Sequence, residues 1–217
     1  MGKLIVIDGV DASGKETQAN LLFEALSEKG EKVTKIEFPN YNEPSSALIK
    51  MYLGGEFGAK PLDVNPYAAS TFYAVDRFSS YTKHWKSLLE DGHTIIADRY
   101  VTSNAIHQAV KLSVTSRDDF LEWLDDFEYN KLGLPKPDKV FFLDMPPEFA
   151  FLLMKKRYSG DESKKDIHER DNKYIRECYD SAIYACEKLG WTRINCTEND
   201  RIKTIEEIHL EIMANVN

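Results

Sequence analysis

Residues Gly9-Val10-Asp11-Ala12-Ser13-Gly14-Lys15-Glu16-Thr17 decide the fold. They follow an apolar run, Leu4-Ile5-Val6-Ile7, and precede Gln18-Ala19-Asn20-Leu21-Leu22-Phe23, which opens a helical pattern. A strand, a Gly-x-x-x-x-Gly-Lys loop and a helix make up the context of a phosphate-binding P-loop. Gly9 and Gly14 let the backbone curl so that successive N–H groups converge on an anion. The helix N-terminus adds partial positive charge, and Lys15 reaches toward the outer phosphates of a nucleotide. All nine residues are therefore expected to bind the phosphates of a nucleotide. The residue after Lys15 departs from the motif: Glu16 stands where a Ser or Thr hydroxyl would meet Mg²⁺. Thr17 lies about 100° further round the helix and substitutes poorly. Mg²⁺ is then expected either on other carboxylates and the substrate's own phosphates or with Glu16 taking part, directly or through water.

Working outward, five short apolar segments read as strands, at about 3–7, 32–38, 94–97, 139–143 and 192–196. Helical patterns separate them: Lys15 to Lys29 ending at Gly30, Pro66–Glu90 stopping at Asp91-Gly92, then 117–129, 147–157 and 168–189. Thr204-x-x-Glu207 has the form of a capping box opening a last helix. Alternating strands and helices predict an α/β fold with a five-stranded parallel sheet flanked by helices, its ligands at the carboxyl ends of the strands. The 217 residues fit a single domain over 1–217.

A net charge of −8 excludes a surface built for nucleic acid, so Lys and Arg must be concentrated locally to hold anionic nucleotides. No apolar run approaches the ~20 residues of a membrane span. The first strand begins at Lys3 and leaves no room for a signal peptide. Cys178, Cys186 and Cys196 have no metal-binding spacing and read as buried free thiols. Together these features predict a cytoplasmic protein with neither nucleic-acid nor membrane partners.

The strand-end rule selects Asp98-Arg99-Tyr100, delivered by the third strand to the edge that carries the P-loop. Arg99 is suited to fork onto an oxyanion, and Asp98 to approach Mg²⁺. Tyr73 and Arg77, four apart on one helix face, offer a ring for stacking and a fork for a carbonyl or phosphate oxygen. The alternative for that pair is structural, an aromatic packed on the arginine stem with Asp76 nearby.

In this order, Gly9–Gln18, Phe38-Pro39, Tyr73…Arg77, Asp98-Arg99-Tyr100 and Leu143-Asp144-Met145-Pro146-Pro147-Glu148 resemble the motif set of thymidylate kinases, and the wording of Phe127–Asp138 is similar to that of clostridia-like bacteria. The resemblance implies a P-loop nucleoside-monophosphate-kinase fold and transfer of the ATP γ-phosphoryl group to dTMP, giving dTDP. Mg²⁺ and a homodimer come with it. It assigns Lys15, Arg99, Asp11 and a lid arginine to catalysis. Asp11, Phe38, Tyr73, Arg77, Arg99, Tyr100, Asn104 and Gln108 fall to the acceptor nucleotide, and Asp98 to the metal. The family's arginine just after the second strand is missing: Phe38-Pro39-Asn40-Tyr41-Asn42-Glu43-Pro44-Ser45 has no basic residue. Ala12 and Ser13 carry no charge, so the basic residue is expected in a mobile lid at about 157–170, with Arg157, Lys164, Lys165 and Arg170 as candidates. Three other readings stay open. Another nucleoside monophosphate kinase, or a deoxynucleoside kinase that would use Glu37 or Glu43 as base for a nucleoside hydroxyl, is one. A catalytically weak regulator would bind nucleotide without turnover. A GTPase needs an Asn-Lys-x-Asp motif, and Asn130-Lys131-Leu132-Gly133 lacks the Asp.

Overall fold

The structure, a computed structural model, describes residues 2–159, 161 and 165–216. Its centre is β1 (Leu4–Gly9), buried along its whole length. Alternate side chains serve opposite faces of the strand. Leu4 and Val6 join a core with Ile95, Ala97, Phe120 and Trp85. Ile5 and Ile7 join another with Leu22, Ile96, Leu143 and Ile208. A strand buried on both faces needs an unbroken apolar run, which is what Leu4-Ile5-Val6-Ile7 supplies. Each such side chain contributes about 1.5–3 kcal/mol on burial.

Helix α1 (Lys15–Glu28) follows the P-loop and ends where Gly30 takes a φ of 81°. The chain then reaches β2 (Val33–Glu37), a short helix α2 (Ala47–Leu53) and α3 (Pro66–Ser80). Asn65 caps α3, its side chain accepting from the Tyr67 N–H at 2.8 Å. The single helix predicted over 66–90 is interrupted by one π-helical turn, Tyr81–Trp85, before α4 (Lys86–Glu90). Next come β3 (Thr94–Asp98), α5 (Val101–His107) and α6 (Arg117–Asp125). A second π turn, Asp126–Lys131, leads toward β4 (Lys139–Asp144) and α7 (Pro147–Arg157).

Helix α8 (Asn172–Leu189) starts later than the 168 expected from its pattern. The Asp166 carboxylate accepts the backbone N–H groups of His168 and Glu169 at 2.8 and 2.9 Å, which closes a turn and leaves Asp171 as the cap. β5 (Thr192–Asn195) stops one residue early. A hairpin then forms from β6 (Thr197–Glu198) and β7 (Arg201–Ile202), with Asn199 and Asp200 at positive φ in its turn. Helix α9 (Ile205–Ala214) opens on the capping box: Glu207 N–H donates to Thr204 Oγ1 at 3.2 Å, and Thr204 N–H to Glu207 Oε2 at 2.7 Å.

The five main strands are parallel in the order β2-β3-β1-β4-β5. The connections from β1 and β3 leave in opposite directions, so a crevice opens at the carboxyl ends of these neighbours. That edge carries the P-loop and Asp98-Arg99.

Candidate active site

The loop closes on itself. Ser13 N–H donates to the Val10 carbonyl at 3.2 Å, and Lys15 Nζ donates to the same oxygen at 2.8 Å. A side chain at Gly9 would put its Cβ 2.6 Å from Ser13 Oγ and 3.0 Å from the Leu143 carbonyl, so any larger residue would force Ser13 to move. Gly14 caps α1 at φ 90°, a conformation that glycine adopts without cost. Burial lowers the Lys15 ammonium to about 8, helped by the neighbouring Arg99 cation and opposed by Asp11, Asp98 and Asp8.

Arg99 takes a left-handed backbone, φ 65°, where the chain turns from β3 into α5. Its N–H still donates to Ile7 O at 3.0 Å, so the turn stays tied to the central strand. The guanidinium donates to the Asp11 carboxylate. It also reaches Ser103 Oγ at 3.4 Å and His107 Nε2 at 3.3 Å. Burial would raise the Asp11 carboxyl, but Arg99, His107 and Lys15 more than reverse it and hold the group below the usual carboxylate range. Beneath this pair Asp8, fully buried, accepts from Gly9 N–H at 2.8 Å and from the hydroxyls of Thr102 at 2.5 Å and Ser103 at 2.8 Å. One carboxylate thus ties the P-loop to the first turn of α5. Sequence reading missed Asp8; the signal was an acid at the end of an otherwise apolar buried strand.

Two clefts meet at Asp11, Arg99 and Arg157. One, of about 330 Å³, is lined by the P-loop with Lys15, Glu16, Thr17, Glu37 and Asp98. Burial raises the Asp98 carboxyl, and Lys15 and Arg99 partly offset the rise. The other cleft, of about 350 Å³, brings together Phe38, Tyr73, Arg77, Tyr100, Asn104 and Gln108. The acceptor-side residues expected from sequence therefore share one wall system. Gln108 Oε1 is buried in it without a partner among the described residues.

Arg77 proves to be held from an unexpected quarter. Its partner is Glu128, on the second π turn: Nε donates to Oε2 at 2.7 Å and Nη2 to Oε1 at 2.5 Å, both side chains buried. Asp76 faces away, accepting from Asn40 N–H at 2.8 Å and Ser45 Oγ at 2.6 Å. It thereby secures the segment after β2, where the family's arginine is missing. That segment instead brings Tyr41 to both clefts, its phenol pushed up to about 12 by burial and by Asp166.

The acceptor-side cleft also holds a histidine pair that no spacing announced. His107 and His168 stack at 5.9 Å with an interplanar angle of 24°. Burial lowers His107 to about 3 and carries His168 well below its ordinary value, so both rings are neutral near pH 7. Of the lid candidates, Arg157 lines both clefts and lies 3.9 Å from Glu169, which also accepts from Tyr158 OH at 2.7 Å. Lys165 and Arg170 are described and line neither cleft. Lys164 lies outside the described residues.

Asp166 offers a pH test. Burial, reinforced by Asp11, pushes its carboxyl from 3.8 up to about 7. Between those values the folded state binds the extra proton, so this group's contribution to stability falls as pH rises through that window. Asp166→Asn keeps an acceptor for the two backbone N–H groups and removes the titration. Calorimetry should find the variant more stable than the unaltered protein at pH 8, with the gap closing at pH 4. A gap of equal size at both would refute this.

The thymidylate kinase family model matches residues 7–212. The thymidylate kinase of Mycobacterium tuberculosis is 34% identical over 191 residues, covering 87% of each chain. The human thymidylate kinase is 28% identical over 97% of this chain and 88% of its own. Among solved structures, the thymidylate kinase of Candida albicans superposes with a TM-score of 0.72 at 23% identity, covering 99% of this chain and 91% of that one. That of Ehrlichia chaffeensis gives 0.69 at 19%, covering 100% and 99%. These folds agree with the parallel sheet and P-loop described above, and the chain belongs to the thymidylate kinase family.

Proposed function

We propose that the protein transfers the γ-phosphoryl group of ATP to dTMP, giving ADP and dTDP. The observation that carries this reading is the meeting of two clefts at Asp11, Arg99 and Arg157, one walled by the P-loop and the other by Tyr73 and Arg77. ATP lies along the loop from Gly9 to Thr17, its phosphates on the N–H groups and Lys15. The pyrimidine of dTMP stacks on Tyr73 and meets Arg77, Asn104 and Gln108, with Phe38 and Tyr100 closing the wall. Arg99 takes the acceptor phosphate, which is already anionic near neutral pH and needs no strong base. The remaining problem is to bring two polyanions together and stabilise charge on the transferring group. Lys15 and Arg99 do this from below. Arg157, in a lid over about 157–170, adds a cation from above and excludes water.

The carboxylate oxygens of Asp98 and Glu16 suit a hard cation. Among the described residues no three acidic, His or Cys side chains converge as a complete metal site. A cation held there would share its shell with phosphate oxygens, which is the usual habit of Mg²⁺. Mg²⁺, when bound, would neutralise charge on the donor phosphates.

The nucleoside-kinase alternative needs a carboxylate base on the acceptor side. Glu43 is turned outward, accepting from Lys83 at 2.6 Å and paired with His84 at 3.1 Å, and Glu37 lines the donor cleft. We further propose a cytoplasmic homodimer; Val75 and Phe78, on one face of α3, are 52% and 44% exposed and supply an apolar surface for it. None of the helices among the described residues is long and apolar enough to cross a membrane.

ADP release with ATP·Mg²⁺ and each of dTMP, dUMP, dCMP, dGMP, dAMP and thymidine tests the activity. Turnover with dTMP well above the rest is the expected result. Turnover with thymidine alone would move the assignment to a nucleoside kinase. Tight nucleotide binding without turnover would favour a regulator.

A further inference from the structure

Glu128 lies outside the reacting centre and is fully buried. An ionised carboxylate only accepts hydrogen bonds, and this one accepts three. Two come from Arg77, and the third comes from Asn104 Nδ2 to Oε1 at 3.2 Å. The other Asn104 Nδ2 contact is the Ser70 carbonyl at 3.3 Å, again an acceptor only. Two acceptors without hydrogens leave the Asn104 amide one orientation. Its NH₂ faces Glu128 and Ser70, and its carbonyl Oδ1 is what it can offer to the cleft it lines. The ends of an amide are often interchangeable; here the chemistry of the neighbours settles them.

Arg77 is fixed by the same group. Of its five N–H donors, two go to Glu128 and one to the Tyr100 carbonyl at 3.3 Å, leaving two on the terminal nitrogens. The cleft therefore presents donors from Arg77 beside an acceptor from Asn104. Thymine and uracil show the complement, an O4 acceptor next to an N3–H donor. Cytosine shows the reverse, an N4 amino donor next to a bare N3 acceptor. It would set donor against donor at Arg77 and acceptor against acceptor at Asn104.

We propose that Glu128 is a positioning residue for base specificity: by ordering the donor face of Arg77 and the acceptor end of Asn104, it makes the acceptor cleft select a 4-oxo pyrimidine over a 4-amino one. This rests on the dTMP-kinase reading and adds the residue that sets its selectivity. The π turn over Asp126–Lys131 matters because it carries Glu128 into the core between α3 and α5.

The test is Glu128→Gln, which brings N–H donors to a place that held only acceptors and leaves the Ser70 carbonyl alone to orient the Asn104 amide. The ratio of kcat/KM for dTMP to that for dCMP should fall by about 10- to 100-fold, the scale of one lost bidentate base contact, with KM for ATP unchanged. A parallel loss for both acceptors in a folded variant, leaving the ratio intact, would mean that Glu128 is merely structural and would overturn the proposal. Should the variant not fold, the unaltered protein decides: 3-methyl-dTMP, which lacks the N3–H, should inhibit at least ~10-fold more weakly than dTMP binds. Equal affinity would overturn it. Absence of dTMP turnover by the unaltered protein would remove the activity reading instead, and equilibrium binding of dTMP against dCMP would then judge the proposal separately.

Discussion

Arg99→Ala should lower kcat/KM for dTMP by at least ~10²-fold, the scale of losing one charge-stabilising contact at a reacting centre. The geometry explains why no neighbour takes over. The guanidinium sits where the two clefts meet, on a backbone turned to φ 65° so that the side chain projects from the end of β3 into that junction. Removing it leaves Asp11 anionic without its direct partner at the place proposed for a phosphate, so repulsion is added to the lost attraction. Arg99→Lys should recover only part of the rate, because an ammonium cannot fork onto two oxygens. Lys15→Met should cost at least ~10²-fold as well, acting through the donor phosphates. Steady-state kinetics on variants with unchanged melting curves checks both. Near-normal turnover in either would sink the catalytic roles given to these residues.

The second large effect is on stability. Arg77→Met strips the partner from a carboxylate with 0% side-chain exposure. Breaking a buried pair from one side typically costs about 3–5 kcal/mol. For a chain of this size each kcal/mol moves the melting temperature by roughly 2–4 °C, so a fall on the order of 10 °C is expected. Adding Glu128→Leu should recover much of the loss, since two apolar side chains in place of a buried ion pair are often tolerated. Thermal melts of the two single variants and the double close the cycle. A single Arg77→Met as stable as the unaltered protein would show that the pair is not energetically coupled.

Much of this was legible in the residues. Leu4-Ile5-Val6-Ile7 reads as a two-sided strand because an apolar run admits no exposed face, and β3 and β4 follow from runs of that kind. By contrast β2 and β5, at the sheet's edges, carry charged residues and are only partly buried. Thr204 and Glu207 announce their capping box because both halves lie within one helical turn. The candidate site was legible where a motif is local: the P-loop, and Asp98-Arg99 at a strand end. It was illegible where contact depends on folding. Glu128 meets Arg77 across 51 positions of sequence, through a π turn that no periodicity predicts, while the nearer acid, Asp76, serves the backbone of Asn40. His107 and His168 come together only when α5 packs beside the turn before α8. Helix α2 is too short to show a periodic face, and Asn199-Asp200 turns a hairpin too small to stand out.

The Asp11–Arg99 contact has a consequence for how the protein meets its substrate. The chain supplies its own counter-ion: a tethered carboxylate occupies the arginine proposed above to take the acceptor phosphate. The pair balances its own charge, so folding does not have to confine a bare cation in a desolvated crevice. On the proposed reading, the work of loosening that internal pair falls at the moment of binding, when a phosphate's negative charge is there to compensate it. An arginine partnered in this way is expected to yield to a doubly charged phosphate ester more readily than to a singly charged anion, because the dianion offers the stronger Coulomb attraction.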